Sequence, residues 1–371
     1  MSTPSTACVI ANASRLNFDG AIDFSSIVRA CGGDADAVEI RGVDATPSAD
    51  AIAAMCVGRK ILITKEVFVD VEKLPRTIEM IAEAGTGYNN IDIERARELG
   101  ITVTNVPSYS SDAVAQLVIT FVLASSVELC EQYGALRRDD RDGFREDFGG
   151  LPKMFELRGR SIGLVGGTGG IGSRVAELAR ALGMKVLVFS RSAQTCEEYE
   201  ATTFDELMKR SDFISVHCPL MPSTRGLIDA RAISLMKPTA KIINTARGAI
   251  INERDLIEAL KAKKIAGACL DVQEVEPPAS TSELYTLENV YMTPHIGWKR
   301  VETRQRLVDC VAENIHAFIS GSPINVVEPL EKKSEASGAP VERFTRASSR
   351  IHFPSRSRIA HDVHHRHFVV N

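Results

Sequence analysis

The chain has 371 residues, 44% of them hydrophobic and 25% charged, with a formal net charge of −4. That balance suits a globular protein of two domains and gives no reason to expect nucleic acid or a membrane surface as a partner. There is no apolar run long enough to span a bilayer and no basic segment leading into an apolar stretch at the N-terminus. The eight cysteines are scattered without a C-x-x-C, so reduced thiols and a cytoplasmic location are expected.

Strand and helix patterns alternate over residues 8–106, which predicts an α/β architecture with a parallel sheet. A single apolar helical pattern then runs from Asp112 to about Leu136, suited to a domain or subunit interface. Residues 137–148 are rich in charge and read as an exposed loop. From 161 to 298 the alternation resumes through KVLVF, FISVHCP, AKIINTARG, IAGACLDV and NVYMTPH. A last helix is predicted over Val301–Ile319, ending at Gly321, and INVV near 326 closes the ordered part. From Glu331 onward there are eight Lys/Arg against four Asp/Glu, and five of the eight histidines. That segment, 331–371, is expected to be a disordered tail, its His361, His364, His365 and His367 solvated, and no metal site is expected anywhere.

The most informative stretch is Ser161–Arg191, SIGLVGGTGGIGSRVAELARALGMKVLVFSR. It contains a strand, a glycine-rich turn, a helix with an apolar stripe at Val175, Leu178, Ala179 and Leu182, and a second strand. Gly167, Gly169 and Gly172 fit G-x-G-x-x-G. The first glycine allows a tight turn, the second a close backbone approach to pyrophosphate, and the third close packing of helix on strand. Gly170 and Ile171 open the helix, whose free N–H groups favour phosphate. Gly166 precedes the motif, so the turn is one residue longer than usual. A dinucleotide site that takes NAD needs an acid at the end of the second strand. Here Ser190 and Arg191 stand there instead, removing a repulsive carboxylate and offering a guanidinium to a 2′-phosphate, so NADP is expected in preference to NAD. The alternative is a solvated Arg191 and an enzyme that accepts either cofactor.

Beyond this turn, the chain carries GTGYNNID (85–92), HCPLMPSTRGLI (217–228), MKPTAKIINTARG (236–248), LDVQEVEP (270–277) and TPHIGW (293–298) in that order. Over about residues 60–327 it resembles the D-2-hydroxyacid dehydrogenases, most of all the branch that reduces hydroxypyruvate and glyoxylate. The resemblance implies two doubly wound parallel-sheet domains. Residues 1–106 and 302–330 would form a discontinuous, flavodoxin-like substrate-binding domain, and 107–301 a Rossmann-type dinucleotide-binding domain. It also implies a homodimer formed with the helix after residue 112.

The resemblance further implies the roles of three residues. Arg247 would bind the substrate carboxylate, Glu276 would be the catalytic glutamate, and His295 would be the acid–base histidine. The chemistry suits these types. Reduction of a 2-keto acid places a hydride on carbon and a proton on oxygen. His295 would give that proton, and Glu276 would hold the ring and favour its charged form. Arg247 would bind the carboxylate through its planar fork. Thr86 and Gly87 would offer backbone N–H groups to the same carboxylate; Trp298, three residues beyond His295, would either line the pocket or pack between the domains. Besides the glycine turn, Ser190 and Arg191, the cofactor would be met by Cys218, Pro219, Thr224, Thr245, Ala246, Asp271 and Gly297. Phosphoglycerate dehydrogenase and a nucleotide-sensing binding module of the same fold are the alternative functions.

Overall fold

The structure is a computed structural model that describes residues 7–42, 46–144 and 151–328; the tail expected to be disordered lies outside these residues. The first part of the chain runs β1 (Cys8–Ile10), α1 (Ala13–Leu16), α2 (Ser25–Ala30), β2 (Val38–Ile40), α3 (Ala49–Met55), β3 (Ile61–Thr64), β4 (Met80–Glu83), α4 (Ile93–Glu98) and β5 (Thr102–Thr104). The strands form a parallel five-stranded sheet in the order β2-β1-β3-β4-β5. Alternate residues of one strand face opposite sides, as pleating requires. Ile61, Ile63 and Met80 enter one apolar cluster, Leu62 and Ile81 the other. Burial on both faces explains why these strands read as continuous apolar runs.

The chain then passes through α5 (Ser111–Ser126) and α6 (Leu129–Arg137) to β6 (Ser161–Val165), α7 (Gly170–Ala181), β7 (Lys185–Phe189), β8 (Glu200–Ala201), α8 (Phe204–Arg210), β9 (Phe213–Val216), α9 (Ala230–Ser234), β10 (Lys241–Asn244), α10 (Glu253–Lys261), β11 (Gly267–Leu270) and β12 (Val290–Met292). This second sheet has seven strands in the order β12-β11-β10-β9-β6-β7-β8, all parallel. Its order reverses at β6, which opens a crevice beside the C-terminal end of that strand. The architecture is thus the expected pair of doubly wound parallel α/β sheets. The last helix, α11 (Val301–Ile319), returns to the first sheet. It packs on α2 and β4, burying Leu307, Val308, Val311 and Ile315 in the first cluster. Beyond it, Val326 bridges Thr104 in antiparallel fashion, so INVV adds to the edge of the first sheet.

The single helix expected from Asp112 to Leu136 is two helices bent by 64°. The break falls at Glu128, which has φ 47°. Tertiary contacts fix it there. The Glu128 carboxylate takes the Lys241 ammonium at 2.6 and 2.8 Å and the Tyr291 hydroxyl at 2.6 Å, both from the second sheet. The first of the two helices is buried through Val118, Phe121 and Val122 against α7, whereas α6 buries none of its residues. Among the described residues no single helix is long and apolar enough to cross a membrane, and all eight cysteines are free thiols.

Candidate active site and dinucleotide crevice

The glycine turn after β6 is built by close approach. Gly166, with φ 85°, is the residue in the left-handed region, and a Cβ there would meet the Cys218 backbone nitrogen at 2.6 Å. The sequence reading assigned the tight turn to Gly167, so that assignment moves back one residue. Gly167 is instead needed for packing, since a Cβ on it would lie 2.7 Å from Leu164 Cβ, and one on Gly172 would lie 2.6 Å from Gly167 Cα. Gly169 is the N-cap of α7, and no side chain caps that end. The N–H groups of Gly170, Ile171 and Gly172 therefore face the crevice side without intrahelical partners, as the first turn of any helix must leave them.

At the end of β7, Ser190 Oγ lies 2.8 Å from Thr168 Oγ1, and Thr168 Oγ1 lies 3.4 Å from Ser192 Oγ. The spot an acid would occupy is thus a cluster of hydroxyls. Arg191 beside it is exposed and engaged in no hydrogen bond or ion pair among the described residues. Cys218 and Pro219 follow β9 and close the crevice. There Thr224 staples the loop, its hydroxyl donating to Pro219 O at 2.7 Å and accepting from Met221 N–H at 2.8 Å. Two buried polar atoms after the strand ends, His217 Nε2 and Thr245 Oγ1, have no hydrogen-bond partner among the described residues. Burial pushes His217 down to about 4, which keeps the ring neutral. A buried hydroxyl without a partner among the described residues, a turn kept tight by Gly166, Gly167 and Gly172, and a helix N-terminus that no side chain caps suit a dinucleotide.

The second feature is a cavity of about 240 Å³ where loops of the two sheets meet; its walls include Arg15, Glu66, Gly87, Arg247, Glu276 and His295. A cavity of that size suits a small substrate. Three of these residues sit beyond C-terminal strand ends of the second sheet, Arg247 after β10, Glu276 after β11 and His295 after β12. His295 Nδ1 and Glu276 Oε2 are 2.7 Å apart. Glu276 Oε1 also accepts the Gln273 N–H at 3.0 Å. Partial burial would raise the Glu276 carboxyl, but the His295 contact and that N–H outweigh it and hold the group below its ordinary value. The His295 backbone has φ 50°, a conformation that costs a side-chain-bearing residue about 1 kcal/mol or more. Asp271 holds it there. Its carbonyl accepts the His295 N–H at 2.8 Å, and its carboxylate accepts Thr293 Oγ1 at 2.6 Å, Ile296 N–H at 2.8 Å and Gly297 N–H at 2.9 Å. Both oxygens of Asp271, expected to meet cofactor, are therefore engaged with the histidine loop, as is the Gly297 N–H.

Arg247 crosses from the second sheet to the GTGYNN loop after β4. A Cβ on Gly87 would lie 1.8 Å from Arg247 Nη2, so only glycine admits the guanidinium there. Arg247 Nη1 donates to Ala246 O at 2.7 Å, which fixes the fork. The Thr86 hydroxyl is spent on Val106 O at 2.9 Å, leaving the N–H groups of Thr86 and Gly87 without partners among the described residues. Trp298, a candidate for the pocket, is not one of its walls. It is 4% exposed and belongs to the first-sheet core, with the Lys65 ammonium 4.0 Å from its ring centroid. Its ring packs among the apolar side chains of that cluster, and the Lys65 ammonium makes a cation–π contact with its face.

Sequence reasoning missed Arg15, Glu66 and Lys65. Lys65 Nζ lies 2.7 Å from Glu66 Oε1, and Arg15 Nη2 lies 3.2 Å from Glu66 Oε2. The signal was present: ILIT is followed at once by Lys-Glu, two charges at the C-terminal end of a buried strand.

The model of the D-isomer specific 2-hydroxyacid dehydrogenase NAD binding domain matches residues 120–297. The hydroxypyruvate reductase of Blautia hydrogenotrophica is 38% identical over 276 residues, 72% of this chain and 83% of that one. The glyoxylate reductase of Thermococcus litoralis is 39% identical over 274 residues, 72% and 82% of the two chains. Among solved structures, the NADPH-dependent glyoxylate/hydroxypyruvate reductase of Sinorhizobium meliloti, in complex with citrate, superposes with a TM-score of 0.72 at 26% identity, covering 87% of this chain and 97% of that one. The chain belongs to the D-isomer specific 2-hydroxyacid dehydrogenases, nicotinamide-dependent oxidoreductases. Within that family its relatives stand among the hydroxypyruvate and glyoxylate reductases.

Proposed function

We propose that this enzyme reduces hydroxypyruvate to D-glycerate, and glyoxylate to glycolate, with NADPH. The observation that carries the reading is the His295–Glu276 pair, 2.7 Å apart, facing one small cavity with Arg247. A reduced nicotinamide supplies the hydride when bound in the crevice. Arg247, with the free N–H groups of Thr86 and Gly87, binds the substrate carboxylate and orients the keto group. With Nδ1 engaged by Glu276, His295 gives the proton to the substrate oxygen from Nε2, and Glu276 stabilises the charge the ring holds before the transfer. In the oxidative direction the same nitrogen takes the proton back. We further assign residues up to 106 and from 302 to the substrate side, and the intervening residues to the dinucleotide side.

The choice of NADPH rests on the Thr168, Ser190 and Ser192 hydroxyls, with no carboxylate among them, and on the uncommitted Arg191. A 2′-phosphate there gains a bidentate guanidinium contact and meets no repulsion. Replacing Ser190→Asp together with Arg191→Ala is expected to shift the kcat/KM ratio of NADPH to NADH at least tenfold toward NADH. Steady-state kinetics with both cofactors checks this, and an unchanged ratio contradicts the assignment.

A homodimer is proposed across α5 and α6, where Leu123, Val127, Leu129, Tyr133 and Leu136 are exposed apolar side chains on neighbouring turns. Such a patch on a lone monomer marks an association surface. Light scattering on the purified enzyme is expected to give twice the chain mass, and Tyr133→Glu with Leu129→Glu to give one. Free thiols throughout fit a reducing, cytoplasmic setting.

A further inference from the structure

We infer that Glu66 reads the substituent on the third carbon of the substrate, selecting 2-keto acids that carry a hydrogen-bond donor there and rejecting those that carry an anion. The inference rests on the reductase reading above and concerns the part of the substrate that Arg247 and His295 leave unheld.

The geometry is as follows. His295 presents Nε2 to the reacting oxygen on the second carbon, because Nδ1 is engaged with Glu276. Glu66 Oε1 lies 3.9 Å from that Nε2. This is too long for a hydrogen bond, and the two groups therefore flank the same space without closing it. A substituent next to the carbonyl falls within reach of the Glu66 carboxylate. An ionised carboxylate only accepts hydrogen bonds, so it welcomes a hydroxyl or ammonium and repels a phosphate or a second carboxylate.

Three features show that Glu66 is built to stay ionised and in place. Burial alone would raise its carboxyl, but Lys65, His295 and Arg15 together hold it well below the ordinary carboxylate range. Lys65 is 1% exposed and lies against the Trp298 ring, so its charge stays directed at Glu66. The Glu66 backbone sits at φ 53° and is pinned by its N–H to Glu83 Oε1 at 2.9 Å. A buried ion pair adds little net stability, and an apolar pair would fill the same space. What the arrangement adds is a fixed acceptor on the cavity wall. Its charge is balanced by Lys65 and Arg15 at 2.7 and 3.2 Å, and both cations are thereby committed to Glu66 rather than offered to an incoming anion.

Hydroxypyruvate and pyruvate differ only in the hydroxyl on the third carbon, and 3-phosphohydroxypyruvate replaces that hydroxyl with a phosphate ester. The test measures kcat/KM for these three acids at saturating NADPH in the full-length wild type, Glu66→Leu and Glu66→Gln. The wild type is expected to prefer hydroxypyruvate over pyruvate by about ten- to a hundredfold, the range for a hydrogen bond to a charged group. In Glu66→Leu the preference falls to within about threefold of unity. Glu66→Gln retains an acceptor oxygen and so keeps a preference, while its efficiency with 3-phosphohydroxypyruvate rises about tenfold as the charge is lost. Partial unfolding would lower all substrates together and leave the ratios unchanged, so the ratios report specificity. A wild-type ratio near one, or a ratio unchanged in Glu66→Leu, overturns the inference. If Glu66→Leu does not fold, no rise with the phosphate ester in Glu66→Gln overturns it. A wild type that turns over none of the acids rejects the reductase reading itself, and this inference with it.

Discussion

His295→Ala is expected to lower kcat by about 10²- to 10⁴-fold, the usual effect of losing a positioned acid–base group. The reason lies in the pair it forms with Glu276 at 2.7 Å, which leaves one ring nitrogen for the substrate oxygen. Cofactor affinity should be unchanged, because the glycine turn and α7 lie on another part of the crevice. The stability effect is expected to be small: alanine is no better than histidine at φ 50°, and the Asp271 carbonyl still accepts the same N–H. Single-turnover kinetics with bound NADPH separates the chemical step from binding. A variant that retains more than a tenth of wild-type turnover removes His295 from the proton transfer.

Gly87→Ala is expected to lower kcat/KM by about 10²-fold while leaving the fold intact. A Cβ at that position would lie 1.8 Å from Arg247 Nη2 and 2.9 Å from its Cζ. The guanidinium is the far end of a flexible side chain, so it moves aside rather than straining the loop. Its displacement by about 1 Å or more spoils the alignment of the carboxylate, and misplacement on that scale costs about 10²-fold. Unchanged thermal melting with a raised KM and lowered kcat is the expected pattern. Wild-type kinetics in Gly87→Ala would mean that Arg247 does not position the substrate from this side.

The parts of the molecule legible in the sequence are those with local causes. The strands carry unbroken apolar runs because both their faces are covered, and α11 was bounded correctly from Val301 to Ile319 by its periodicity and Gly321. The glycine turn was visible as a pattern, although the left-handed residue proved to be Gly166, one position before the motif. The bend at Glu128 was not visible, since Lys241 and Tyr291 that hold it lie more than a hundred residues away. Trp298 followed the same logic. Its place beside His295 in sequence left the pocket and interdomain packing equally open, and its contacts with the first-sheet apolar cluster, made by residues far away in sequence, decide for the core. Glu66 escaped notice for the converse reason. Nothing in ILITKEVF alone says that Arg15, 51 residues earlier, and His295 converge on it.

The site as a whole is tested most directly by following oxidation of NADPH by the purified protein with hydroxypyruvate and glyoxylate, and determining the configuration of the glycerate formed from hydroxypyruvate. Rapid turnover to D-glycerate and glycolate, faster with NADPH than with NADH, is the predicted result. Tight binding of NADPH without turnover of either acid would contradict it.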